Sequence, residues 1–226
     1  FDFWYSPAND AAEKKATRHF VESLKWARKK SFPVILGQYQ NKQDKAVYSE
    51  AHWGFVSVFR DLTWINEVMY LKVWDKMAVS GELMDHPSFF LQVLAEKLRL
   101  KPVLGVDGVR LIGPPIPRRL WLAFAETPFT KVPFHEVYNG WADPKLFSER
   151  IVLIGIGGSE TDYFHVPYSP TDFTPHNKND GYGMPGVFLF AHAINQVIQG
   201  YYHKEINDEW TLNFRDKGIS LFHLES

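Results

Sequence analysis

The 226-residue chain contains no cysteine. That excludes disulfides, cysteine-ligated zinc and thiol nucleophiles, but it leaves the compartment open, because extracytoplasmic and cytosolic domains can both lack the residue. No Asn-x-Ser/Thr triplet occurs either, so nothing points to N-glycosylation. Neither sign of charge is in excess: 25 Lys and Arg stand against 26 Asp and Glu. The balance gives no electrostatic reason to expect nucleic acid or an anionic membrane surface as a partner. Long hydrophobic runs are missing too. The longest uncharged apolar stretch, Val187 to Tyr202, is interrupted by His192, Asn195, Gln196 and Gln199. It is too short and too polar to cross a bilayer. The chain opens at Phe1-Asp2-Phe3 without an initiator Met or a signal peptide, a start that reads as an internal cut, with membrane anchors expected outside it.

What is present is an ordinary globular composition, 45% hydrophobic and 23% charged, with enough length to bury a sizeable core. Aromatic residues are plentiful (8 Trp, 10 Tyr and 18 Phe), which favours large packed contacts and apolar pockets. The one basic cluster, Lys25 to Lys30, reads as the solvated face of a helix.

Local patterns give the element order. Asn9 or Asp10 can cap a helix over 11–30 whose core face carries Ala16, Phe20, Leu24 and Ala27. Pro33 opens a short strand, Val34 to Leu36, closed by Gly37. The runs 53–59 and 68–74 are rich in β-branched and aromatic residues and read as a hairpin. A helix follows Pro87-Ser88, with Phe90, Leu91, Leu94, Ala95 and Leu98 as its stripe, and Pro102 beyond it. Leu120, Leu122 and Phe124 alternate in a buried strand, and a helical turn fits Pro133 to Asn139. Arg150 to Ile156 reads as the most apolar strand, ending in Gly157 and Gly158. A helix then runs from Pro185 to Gly200, with Val187, Phe190, Ala191, Ile194, Val197 and Ile198 facing the core. Between 157 and 185 lies a long loop of proline and aromatics, and loops of that length in compact domains are usually functional or disordered. No repeat or linker divides the chain. The economical expectation is one α/β domain over 1–226, with a mixed, mainly parallel sheet flanked by helices.

Several of these segments resemble one family. Val-Pro-Phe-His-Glu-Val-Tyr-Asn-Gly (132–140), Leu-Phe-Ser-Glu-Arg-Ile-Val-Leu-Ile-Gly (146–155), Asp162, Tyr163-Phe164, Pro167, Pro185-Gly186-Val187 and Ala191-His192-Ala193-Ile194-Asn195 follow the order seen in CHASE domains of the second type. Upstream, His52-Trp53-Gly54-Phe55-Val56 and Ser88-Phe89-Phe90 are similar to that family's glycine-containing strand and following helix. Val166 stands where the family usually has Thr. The stretch 61–67 matches the family's acidic turn poorly, and the insertion 168–184 is long. The family's first strands are missing, as if the chain were N-terminally truncated. The resemblance implies an extracytoplasmic sensory input domain of a bacterial transmembrane receptor, ahead of a cyclase, histidine kinase or Ser/Thr kinase. Membrane helices would flank it outside this chain, and the domain itself would be non-catalytic. The expected partner is an unidentified small molecule, with no cofactor and no nucleic acid; a homodimer stays open.

The candidate ligand-binding residues are Gly157, Gly158, Asp162, Pro167, His192 and Asn195. Open α/β sheets bind ligands beyond the carboxyl ends of strands, and a glycine turn can hold an anion with its backbone N–H groups. The competing reading is a tight strand exit, with Asp162 bonding loop backbone. His192 is expected beside the core stripe, on a flank shared with Phe188 and Asn195. There it either ties the helix to a neighbour or acts as a pH-responsive or ligand-contacting imidazole. The aromatics Tyr163, Phe164, Tyr168, Phe173 and Tyr182 either line an apolar pocket or pin the insertion. A dinucleotide fingerprint is excluded, because Glu160 occupies the third glycine position. Asp162, His165, His176 and His192 match no metal-ligand spacing, so no metal is expected. Ser159, Asp162 and His192 have the chain order of a hydrolase triad but lack the Gly-x-Ser-x-Gly elbow. A Ser-dependent hydrolase and a ligand-free dimerisation module are the alternative functions.

Overall fold

A computed structural model describes residues 11–38, 47, 49–56, 58–60, 68–79, 82–111, 115–123, 129–155, 163–166, 182–199, 202–206 and 209–213. Helix α1, Ala11–Lys29, forms where the apolar spacing predicts it. Leu24 and Ala27 are buried, Phe20 is half-buried and Ala16 is exposed. This face packs on a small satellite core of Leu36 and Val47, joined by Val21, Val34, Ala51 and Trp53. The expected caps, Asn9 and Asp10, lie outside the described residues.

Strands β1 (Ile35–Gln38) and β2 (His52–Phe55) pair in parallel, Ile35 opposite His52 and Gln38 opposite Phe55. The expected hairpin over 53–74 is therefore split. Its first half joins β1, and only β3 (Val58–Arg60) pairs antiparallel with β4 (Val68–Lys72). β4 also carries β9 (Arg119–Trp121), giving a three-stranded antiparallel sheet. The residue pattern did not signal the next hairpin, β5 (Trp74–Val79) with β6 (Glu82–Pro87). β7 (Val103–Gly105) and β8 (Gly108–Arg110) form another.

The α/β class holds, but a mainly parallel sheet does not emerge among the described residues. β1–β2 is the single parallel strand pair there, and every other strand pair is antiparallel. The cause is connection length. β5–β6 and β7–β8 are each closed by two residues, which only an antiparallel pair permits; parallel neighbours need a crossover of a dozen or more. Residues 151–155, expected as the most apolar strand, join no strand among the described residues. They keep the alternation of an extended chain: Ile151 and Leu153 pack on the main core, and Val152 is 47% exposed.

Helix α2 (Phe89–Leu98) starts at the predicted place. Ser88 is its N-cap, its hydroxyl accepting from the Leu91 N–H at 3.4 Å. Such a cap satisfies one of the orphan donors of the first turn. At the other end Arg99 turns left-handed, and the Leu100 N–H bonds the Ala95 carbonyl at 2.9 Å. β2 crosses the start of α2 so closely that a Cβ on Gly54 would lie 2.6 Å from the Phe89 Cα. Phe90, Leu91 and Leu94 are fully buried, and α2 packs beside α4 (Gly186–Gln199), where Phe89 meets Phe190 edge-on at 5.5 Å. These two helices with β4, β8 and β9 enclose the main core. Between β9 and α4 the chain forms a short helix, α3 (Phe134–Tyr138), and a 3₁₀ turn at Pro144–Leu146. β12 (Tyr202–Ile206) and β13 (Glu209–Asn213) make a hairpin immediately after α4, and β12 lies near β9.

Candidate functional site

Helix α4 carries the two candidate residues that fall within the described residues, His192 and Asn195. Its sequence, GVFLFAHAINQVIQ, contains no charge, and the helix is buried nearly all round. Ile198, expected on the core face, is 44% exposed, whereas Leu189 and Ala193 are fully buried. The helix is therefore rotated from the predicted stripe, and its buried arc takes in the His192 flank.

His192 is 3% exposed, not beside the core but inside it. The reason is a segment distant in sequence. Phe129 lies edge-on to the imidazole at 5.1 Å and against Phe188, one helical turn earlier, at 6.1 Å. The Lys131 ammonium sits 5.3 Å from the centre of the same Phe188 ring, a cation–π contact. Phe188, His192 and Asn195 do share a flank, as the helical spacing predicts, and Asn195 is half-buried on it. Burial pushes the His192 imidazole down to about 4, because removal from water penalises the charged form. At neutral pH the ring is uncharged, so the group does not titrate in the range a physiological pH sensor requires.

One turn further on, Gln196 is also 3% exposed and fully engaged. Its Nε2 donates to the Trp121 carbonyl at 2.7 Å, and its Oε1 accepts from the Ala123 N–H at 3.0 Å. The side-chain amide thus bonds the backbone at the end of β9 and ties α4 to the sheet. Sequence reasoning missed this residue and Phe129. An amide one turn after His192 in an uncharged helix was the available signal for Gln196. Phe129 offered none.

At the other end of α4 three strands of chain meet. Residues 151–155 approach the first helical turn so closely that a Cβ on Gly155 would lie 2.6 Å from the Val187 Cβ. The long loop, expected without regular structure, is pinned at its base by a ladder of β10 (Tyr163–Val166) and β11 (Tyr182–Pro185), with Tyr163 opposite Pro185. β11 leads straight into α4. Met184 and Val166 from this ladder are buried in the main core, so the loop's stem is part of the domain's packing. Gly157, Gly158, Asp162 and Pro167 lie outside the described residues, as do Ser159, Tyr168, Phe173 and His176. Among the described residues no cluster of His, Asp or Glu is arranged to hold a metal, and no helix is long and apolar enough to cross a membrane.

The arrangement is a helix whose first turn is boxed in by two other segments, whose flank is covered by one loop, and whose far end is tied to a sheet. A profile of the CHASE2 domain matches residues 1–222. The chain belongs to this family, the CHASE2 domains, which are sensory and extracytoplasmic. No curated protein and no solved structure matches the chain.

Proposed function

We propose that this chain is the ligand-sensing input domain of a bacterial transmembrane receptor, acting as one unit outside the cytoplasmic membrane. Its output would be a cyclase, a histidine kinase or a Ser/Thr kinase carried elsewhere in the same protein, and the domain itself would do no chemistry. The observation that carries this reading is the position of α4. Its first turn meets the 151–155 segment and the β10–β11 stem, its His192 flank lies under Phe129, and its last residue is three short of β12. A small molecule bound by Gly157, Gly158, Asp162 and Pro167 together with His192 and Asn195 would press on the helix that leads to the C-terminal hairpin.

Transmission requires the ligand to bind two arrangements of the domain with different affinity, since equal affinity moves nothing. The Phe129–Lys131 segment covers one flank of α4 and makes ring contacts with it. The β9 end is tied to the helix by the two Gln196 hydrogen bonds. Ligand-driven change should therefore begin at the loop-covered flank and pivot about Gln196.

A thermal-shift screen of small extracellular metabolites tests the reading, because a solute that binds only the folded state raises the melting temperature by mass action. The expected result is at least one solute class that stabilises the wild-type chain and stabilises Asn195→Ala less. A screen in which no solute moves the wild-type melting temperature contradicts the proposal.

A further inference from the structure

Among the described residues, no other stretch of similar length leaves as many large apolar side chains open to solvent as 131–152. Neither α3 nor the following 3₁₀ turn buries a single residue. Phe134 is 64% exposed, Tyr138 81% and Trp141 72%, with Val137, Leu146 and Val152 also open to solvent. The aromatic rings are ordered against one another: Phe134 stacks on Tyr138 at 6.5 Å, and His135 meets Trp141 edge-on at 6.4 Å. The backbone beneath them is fixed as well. The Trp141 N–H bonds the Glu136 carbonyl at 2.8 Å, Asp143 caps the 3₁₀ turn through the Lys145 N–H at 2.9 Å, and Lys97 of α2 reaches the Glu149 carbonyl at 2.7 Å. Large apolar side chains left open on a helix and a turn that bury no residue of their own have the character of an interaction surface.

We propose that this surface docks on the same surface of a second copy of the chain, forming a two-fold dimer. Two quantities favour a copy of itself over other occupants. The first is area. Fully buried aromatic side chains occlude roughly 150–250 Å² each, so the exposed fractions of Phe134, Tyr138 and Trp141 leave roughly 330–540 Å² of ring surface free. One side of a standard interface needs roughly 800 Å², a little over half of it apolar. The three rings supply most of that apolar share, and Val137, Leu146 and Val152 add to it.

The second is charge. Residues 131–150 carry Lys131, Lys145 and Arg150 against Glu136, Asp143 and Glu149, three of each sign. An isologous interface sets a patch against itself, so a patch of one sign would repel its copy, whereas a balanced one can pair basic with acidic groups across the axis. The solvent face of α1 makes the contrast. Residues 11–30 hold seven bases and two acids, and that surface could not face itself. The balance also argues against an anionic lipid surface as the occupant of 131–152, because no excess of positive charge surrounds the rings. Dimerisation through this face is independent of the ligand reading above, and either can fail alone.

The test uses the full 226-residue chain. Sedimentation equilibrium across a concentration series should give a mass rising from 26.2 kDa toward twice that value. The double variant Tyr138→Glu/Trp141→Glu should stay at the single-chain mass with an unchanged circular dichroism spectrum, since neither side chain is buried in the monomer. Because the chain has no cysteine, Tyr138→Cys introduces the only thiol. A short bis-maleimide should link two copies of that variant at least tenfold faster than copies of the control Lys15→Cys on α1. Three results would overturn the proposal: a wild-type chain that stays at the single-chain mass throughout, a double variant that still associates, or equal linking of the two thiols. Wild-type monomer that instead co-sediments with phosphatidylglycerol vesicles would assign the face to a lipid surface.

Discussion

Two helices of this chain start directly after a proline and carry aromatics in their first turn, yet they end in opposite surroundings. α4 follows Pro185 and buries nine of its fourteen residues, while α3 follows Pro133 and buries none of its five. The local signals are alike because proline suits the start of a helix in either setting. What separates them is charge and length. α4 has no charged residue over four turns, so it can be enclosed on every side without stranding an ion. α3 carries the charged Glu136 in little more than one turn, and it stays at the surface with its rings exposed. The proposed ligand response resides in the enclosed helix and the proposed pairing in the open one.

Substitutions sharpen that contrast. Phe90→Ala, in the α2 stripe packed beside α4, should cost about 3–5 kcal/mol by urea unfolding, the usual loss for an aromatic removed from a close-packed core. Trp141→Ala, measured at a concentration low enough to keep the chain monomeric, should change stability by less than about 0.5 kcal/mol. Comparable losses in the two variants would erase the distinction between the enclosed and the open helix.

Gln196→Ala removes both bonds that tie α4 to β9. Leaving buried backbone polar groups unserved should lower stability by about 2–4 kcal/mol. If denaturation midpoints of variant and wild type coincide, the amide is no anchor, and α4 has no fixed pivot.

His192 supplies a pH test. Its folded-state pKa lies below the ordinary histidine value of 6.5, so between pH 6.5 and 4 the unfolded chain binds the proton more readily than the folded one. Stability is therefore retained above pH 6.5 and falls as pH drops toward 4, by at most about 3 kcal/mol at roughly 1.4 kcal/mol per unit. His192→Leu should flatten most of that slope in a series of melts from pH 7 to pH 4. An identical slope in wild type and variant would mean the imidazole is not enclosed as the Phe129 contact indicates. His86, also pushed below its ordinary value by burial, should leave a residual slope in the variant.

Much of this architecture was legible in the residues, and the parts that were not share a cause. Helices α1 and α2, the Ser88 cap region, the turn at 133–139 and the extent of α4 all follow from spacing within one element. The split of 53–59 between two sheets, the β5–β6 hairpin and the lack of a ladder at 151–155 among the described residues depend on which strand finds which neighbour, and local periodicity does not encode that choice. The same limit applies at the site. Helical spacing placed His192 on a flank with Phe188 and Asn195, correctly. Whether that flank faced solvent or another segment was decided by Phe129, sixty-three residues away in sequence. Gln196 was visible as a polar residue, but its role depended on the Trp121 carbonyl and the Ala123 N–H coming within its reach.

Hydrogen exchange at the C-terminal hairpin tests the central claim, that α4 carries a binding event from the glycine corner to the end of the domain. Amides of 202–206 and 209–213 would be followed with and without a saturating amount of the solute identified by thermal shift. The account predicts a change in their protection that is lost in Gln196→Ala, where the pivot is gone. Unaltered protection in the wild-type chain, with the solute demonstrably bound, would contradict it.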